Sequence, residues 1–313
     1  MLLILEAMIP TFCLVALGLY IRRSEMVPEN QWNGLETLSY WLFFPALIFH
    51  SLVSADLKNV PLGEMAGALI TTLVVMALIL LVAYPMMKSA LSLDGPAYTS
   101  IYQSVLRWNG FIALSIVQKA YGTDAMALVA VAMATMIPVI NVIVVTILAT
   151  FASKSKPQVA SVLMNILKNP LIWASAGGLV FNMLEIPIWD AIGTTIEVTA
   201  RAGLATGLLI VGAGLKLRYL FPPSLFNWIG TLWRLIAMPA LALGVGLIFG
   251  LEGEVLEIAV ICMAVPTAMN GYILAKKMGG DAELLNGMVT LQTGLAVLTI
   301  PLWLLIIRSF ITG

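Results

Sequence analysis

Long apolar runs separated by short polar segments fill the chain from end to end. A helix that crosses a bilayer needs roughly 20 predominantly apolar residues. Ten runs qualify: 3–21, 33–53, 62–87, 97–120, 124–150, 168–184, 189–215, 226–250, 254–277 and 283–308. The connections are short, the longest being "ASKSKPQVASVLMN" after the fifth run. The opening "MLLILEAMIPTFCLVALGLY" lacks a basic start and runs straight into "IRR", so it reads as a first spanning helix and not as a leader peptide. Composition agrees with this pattern. The 313 residues are 61% hydrophobic and 10% charged, whereas a soluble domain is roughly half apolar and a quarter charged. The expected fold class is an all-α polytopic membrane protein. A formal net charge of zero gives no support to a basic nucleic-acid surface.

Orientation follows from the basic loop residues. One set of loops holds Arg22, Arg23, Lys88, Lys154, Lys156, Lys168, Lys216, Arg218, Lys276 and Lys277. The opposite set, with the termini, holds Lys58, Lys119 and Arg308. The first set is expected on the cytoplasmic side, with both termini outside. The two halves also align at a shift of about 160 residues. Pro10 falls on Pro170, Gly18-Leu19 on Gly178-Leu179, Pro28 near Pro187 and Glu36 on Glu197. "WNGFI" at 108–112 falls on "MNGYI" at 269–273, and "MIPV" at 136–139 near "TIPL" at 299–302. This predicts a first five-helix repeat over 1–150, a cytoplasmic linker over 151–167 and a second repeat over 168–313. Because five is odd, the second repeat enters the membrane inverted, as in many secondary transporters.

The fourth and ninth spans carry matching interruptions, Asn109-Gly110 and Asn270-Gly271, with Pro266 four residues before Asn270. Proline removes a backbone donor and glycine permits unusual backbone conformations. Freed backbone groups inside a bilayer are tolerated only where protein or a water-filled cavity surrounds them. Paired breaks in inverted repeats point to a midplane binding site. Half-helix N-termini there offer free N–H groups and positive potential, which favours an anion. Arg107 lies two residues before Asn109 and is costly in hydrocarbon. An anionic substrate, a carboxylate side chain or helix C-terminal carbonyls could offset that cost.

Three segments resemble the auxin efflux carrier family, which includes plant auxin exporters and bacterial malonate or malate permeases. They are "LFFPALIF" (42–49), "LRWNGF" (106–111) and "VPTAMNGYILAKKMGGD" (265–281). The resemblance covers all ten spans and implies a scaffold of helices 1, 2, 6 and 7 and a transport domain of helices 3 to 5 and 8 to 10. Broken helices 4 and 9 would cross at the substrate site. It further implies an elevator-like movement, a homodimer and a bacterial inner-membrane location. Asn109 and Asn270 with Gly110 and Gly271 are the implied substrate-binding positions. Pro266 would shape the ninth-helix break, and Arg107 is an additional candidate ligand. Unlike the plant proteins, this chain lacks a long loop after the fifth helix and has no proline near Asn109.

Gln103, Gln292, His50 and Glu197 are candidate cavity or coupling residues, each with a plainer reading as a helix bridge, an interfacial histidine or, for Glu197 with Arg201, an i,i+4 ion pair. Arg234 is expected to snorkel to the cytoplasm. Cys13 and Cys262 read as small core residues. Trp32, Trp41, Trp189 and Trp228 read as an interfacial belt. The leading function is a secondary carrier of a small carboxylate, with no cofactor or metal. The alternatives are a sodium-coupled symporter similar to bile-acid carriers and, more remotely, an intramembrane enzyme. The latter lacks support: "MGGD" misses the membrane aspartyl protease pattern, and no H-E-x-x-H occurs.

Overall fold

The computed structural model describes residues 2–57, 60–152, 164, 167–219 and 222–312. Most of the predicted linker at 151–167 lies outside them. Helices account for nearly all of the described residues, with no strand among them. In chain order they are α1 (Leu2–Arg23), α2 (Glu29–Leu38), α3 (Phe44–Val53), α4 (Leu62–Leu91), α5 (Gly95–Leu106), α6 (Gly110–Tyr121) and α7 (Met126–Phe151). There follow α8 (Pro170–Met183), α9 (Asp190–Gly214), α10 (Leu225–Leu232), α11 (Met238–Ile248), α12 (Gly253–Ala264), α13 (Gly271–Met278) and α14 (Ala282–Thr312).

Five described stretches are long and apolar enough to cross a membrane: Leu62–Leu91, Met126–Phe151, Asp190–Gly214, Leu225–Ile248 and Ala282–Ser309. Two predicted spans, one of them Leu225–Ile248, carry a π turn. The second predicted span consists of α2 and α3 joined by a π turn at Ser39–Phe43, and a second π turn at Trp233–Ala237 joins α10 to α11. Pro45 and Pro239 follow these turns. A proline has no N–H and its ring crowds the preceding turn, so one wide turn lets the helix continue past it. The carbonyl of Leu235, four residues before Pro239, instead accepts a 2.8 Å bond from the indole N–H of Trp303.

The chain divides into two compact units. The first comprises Met1–Leu62, Gly110–Ala134 and Lys168–Leu215. Here α1 packs on α9 through small residues. A Cβ at Gly212 would collide with the carbonyl oxygen of Val15, and one at Gly18 with that of Leu209. Only glycine allows two membrane helices to approach so closely. The α9 C-terminus is capped by Arg22, whose Nη1 donates to the Ala213 carbonyl at 2.7 Å while Nη2 pairs with Glu29. The Phe44 and Phe111 rings stack at 4.0 Å. Trp32 is buried with Ile210 and Ala213 and donates its indole N–H to the Val27 carbonyl, so it is a packing residue and not part of the expected belt. Trp41, Trp189 and Trp228 are exposed, whereas Cys13, expected in the core, is exposed as well; Cys262 is buried.

The second unit comprises Gly63–Asn109, Thr135–Leu167 and Lys216–Gly313. Asp94 caps α5 by accepting from the Ala97 N–H, as its position just before Gly95-Pro96 favours. Tyr98 and Tyr102 hold α5 to α4 by donating to the Leu80 and Ala77 carbonyls. A capping box of Ser224 and Asn227 starts α10, and the Asn227 amide also donates to the Leu284 carbonyl. Gly279 closes α13 at φ 83°, the left-handed conformation that ends helices. Asp281 then opens α14 by accepting from the Leu284 N–H.

Candidate functional site

Both predicted breaks are present. Residues 107–109 separate α5 from α6, and residues 265–270 separate α12 from α13. The two non-helical segments touch directly: the Asn109 N–H donates to the Pro266 carbonyl at 2.9 Å. Such segments leave the last carbonyls of α5 and α12 without helical donors. Most of them find one here. On α5, the Gln103 carbonyl accepts from the Arg107 N–H at 2.9 Å, that of Ser104 from Gln292 Nε2 at 3.5 Å and that of Val105 from Arg234 Nη1 at 2.8 Å. On α12, the Ile261 carbonyl accepts from the Val265 N–H at 3.0 Å, and Cys262 from Arg234 Nη2 at 3.3 Å. Arg234 Nε adds a 2.8 Å bond to the Val265 carbonyl.

Arg234 therefore does not snorkel. It is 0% exposed and joins the C-terminal ends of both interrupted helices. Its fork of donors suits three carbonyls, and two helix C-termini each present about half a negative charge. Pro266 is the reason the Cys262 carbonyl needs this partner, since it supplies no N–H four residues on. Sequence reasoning missed this role, although a signal exists. A proline break in one span demands a donor from elsewhere, and an Arg deep inside another apolar span is one. Gln292 also resolves as a bridge. Its Oε1 accepts from the Thr267 N–H at 2.9 Å, and its Nε2 donates to the Gly230 carbonyl at 3.2 Å.

Arg107 differs. It is 8% exposed and forms the C-cap of α5. Its Nε donates to Gln103 Oε1 at 3.3 Å and its Nη1 to Asn270 Oδ1 at 3.4 Å, both long bonds to neutral amides. Its Nη2 donates to no described residue. Among the described residues, Gln103, 1% exposed, has no acceptor for its Nε2, and the buried Thr267 hydroxyl has no partner. Asn270 is the N-cap of α13 without a side-chain capping bond, and it is exposed. Gly271 lies under the Arg107 stem, where an added Cβ would sit 3.1 Å from Arg107 Cδ.

Thus Gln103, Arg107, Asn109, Pro266, Asn270, Gly271 and Gln292 belong to one hydrogen-bonded and packed neighbourhood of the second unit. The other candidates belong to the first. A Cβ at Gly110 would meet the Met133 side chain, which is a packing role. His50 is partly buried on α3. Glu197 pairs with Arg201 one turn along α9, with both side chains outward and the Arg201 side chain 76% exposed.

Residues 3–304 match the family model described as membrane transport protein. The chain belongs to this family, that of the auxin efflux carriers, and is a multi-pass membrane transporter. It is 23% identical over 308 residues to an uncharacterized transporter, YfdV, of Escherichia coli (strain K12), covering 96% of both chains. It is 21% identical over 299 residues to an uncharacterized transporter of Methanothermobacter thermautotrophicus, covering 95% of this chain and 96% of that one. A probable auxin efflux carrier component 5b of Oryza sativa subsp. japonica is 25% identical over 161 residues, half of this chain and 44% of that one.

Proposed function

We propose that the protein is a secondary transporter for a small organic anion, a carboxylate, held where the two interrupted helices meet. The observation that carries this reading is the surplus of donors at the breaks: among the described residues, Arg107 Nη2 and Gln103 Nε2 have no acceptor and no carboxylate side chain pairs with Arg107. A guanidinium left in such surroundings favours a carboxylate, which it binds bidentately. Asn270 gives the cluster an exposed edge through which a ligand reaches it.

Depth is consistent with a midplane site. Each of α5 and α12 has 12 residues, or about 18 Å of rise against a hydrocarbon thickness of roughly 30 Å. Both end at the same arginine, as helices entering from opposite faces would. This supports inverted repeats with crossing fourth and ninth helices. In the proposed cycle the anion exchanges its water for the Arg107 guanidinium and the Asn109 and Asn270 amides. The transport domain of helices 3 to 5 and 8 to 10 then moves as an elevator and opens the site to the other face. The protein works as a homodimer in the bacterial inner membrane with both termini outside, and it carries its cargo chemically unchanged.

Purified protein in liposomes is expected to take up labelled short carboxylates. Asn109→Ala and Asn270→Ala should each reduce uptake at least tenfold while leaving the purified protein monodisperse. Uptake at the wild-type rate by both variants refutes the site.

A further inference from the structure

Resting on the reading of this cluster as a carboxylate site, we propose that it accepts cargo bearing a single negative charge and discriminates against dicarboxylate dianions. The charge inventory leads there. Among the described residues, the buried charged side chains are Arg107, Arg234 and Glu257. Glu257 is paired, because Arg308 donates to its Oε2 through Nε and Nη2, both at 3.2 Å. Arg234 is 0% exposed and spends one N–H of each of Nε, Nη1 and Nη2 on a carbonyl of the breaks. Glu257 is an acceptor of the same sign as the cargo, and the two N–H groups left on Arg234 are sealed away from a ligand by its full burial.

Arg107 alone is open. Its partners are two amide oxygens at 3.3 and 3.4 Å, which a carboxylate oxygen would replace with shorter, charge-assisted bonds. One guanidinium matches one carboxylate. The remaining polar groups of the cluster, Gln103, Asn109, Asn270 and the Thr267 hydroxyl, are neutral. They can hydrogen-bond an uncharged polar part of the cargo, but they supply no counter-charge to a second carboxylate. Burying that second charge without a cation is unfavourable, and the ordinary response of such a group is to bind a proton. A dicarboxylic acid is therefore accepted as its half-protonated monoanion.

The test uses the wild-type protein, with thermal stabilisation and competition for liposome uptake measured for butyrate, benzoate, malonate and succinate at about pH 7 and again at about pH 5, where the second carboxyl of each diacid begins to protonate. The two monocarboxylates are expected to bind at least tenfold more tightly than the two dicarboxylates at the higher pH. The dicarboxylates should gain on acidification, and Arg107→Gln should remove binding of all four while Arg107→Lys retains part of it. Dicarboxylates binding as tightly as monocarboxylates at about pH 7 overturn this inference and leave the carboxylate site standing. Failure of all four to bind or to be carried by the wild type overturns the carboxylate reading itself.

Discussion

Replacing Arg234 with leucine deprives three carbonyl oxygens of their donors: Val105 and Val265, each 2.8 Å away, and Cys262 at 3.3 Å. Water cannot take over at a position that is 0% exposed. An unsatisfied buried acceptor costs about 1–3 kcal/mol, so the gross loss is about 3–9 kcal/mol. Relief of the buried guanidinium's own desolvation offsets part of it. A net loss of roughly 2–5 kcal/mol remains, a large share of the 5–15 kcal/mol that typically holds a domain together. Lysine restores the charge but not the planar fork and reaches fewer of the three oxygens, so Arg234→Lys should fall between. Thermal unfolding in detergent is measurable by thiol labelling of Cys262, which is fully buried, in a Cys13→Ser background that removes the exposed thiol. The expected order of unfolding temperature is wild type, then Arg234→Lys, then Arg234→Leu, with several degrees between the extremes. An Arg234→Leu protein that melts with the wild type and still carries substrate refutes the assignment of this arginine as the tie between the two breaks.

Two further outcomes probe the packing. Trp303→Phe removes the indole donor from the Leu235 carbonyl that Pro239 leaves free. It should cost about 1–2 kcal/mol in the same unfolding assay, and no shift would argue against that bond. Gly212→Ala places a methyl group on the Val15 carbonyl oxygen and should destabilise the first unit by at least 1–3 kcal/mol, whereas Gly244→Ala, with nothing within 4 Å of the added Cβ, should be neutral or slightly stabilising. Equal behaviour of the two alanine variants would contradict the close α1–α9 approach.

The helices and their interruptions were legible along the chain because both depend on local properties. Predicted spans at 62–87, 124–150 and 189–215 correspond to Leu62–Leu91, Met126–Phe151 and Asp190–Gly214, since continuous apolar helix is the arrangement that satisfies the backbone in lipid. Asn109-Gly110 and Pro266 to Asn270 marked their breaks through glycine's freedom and proline's missing donor. The π turns before Pro45 and Pro239 were not legible. A proline in an apolar run forces some distortion, but surrounding packing selects its form.

Partnership of the polar groups was decided in three dimensions. In sequence, Arg107 and Arg234 are alike: a guanidinium inside an apolar span with a helix-breaking residue nearby. Folding gives Arg234 three carbonyls and leaves Arg107 two long bonds to amides. Gln103 and Gln292 separate in the same way, one with a vacant Nε2 and one fully engaged across three segments. Helix formation reads residues within a turn or two of each other. Hydrogen-bond satisfaction depends on groups more than a hundred residues away, such as Val105 for Arg234, and only the assembled helices bring those within 3 Å.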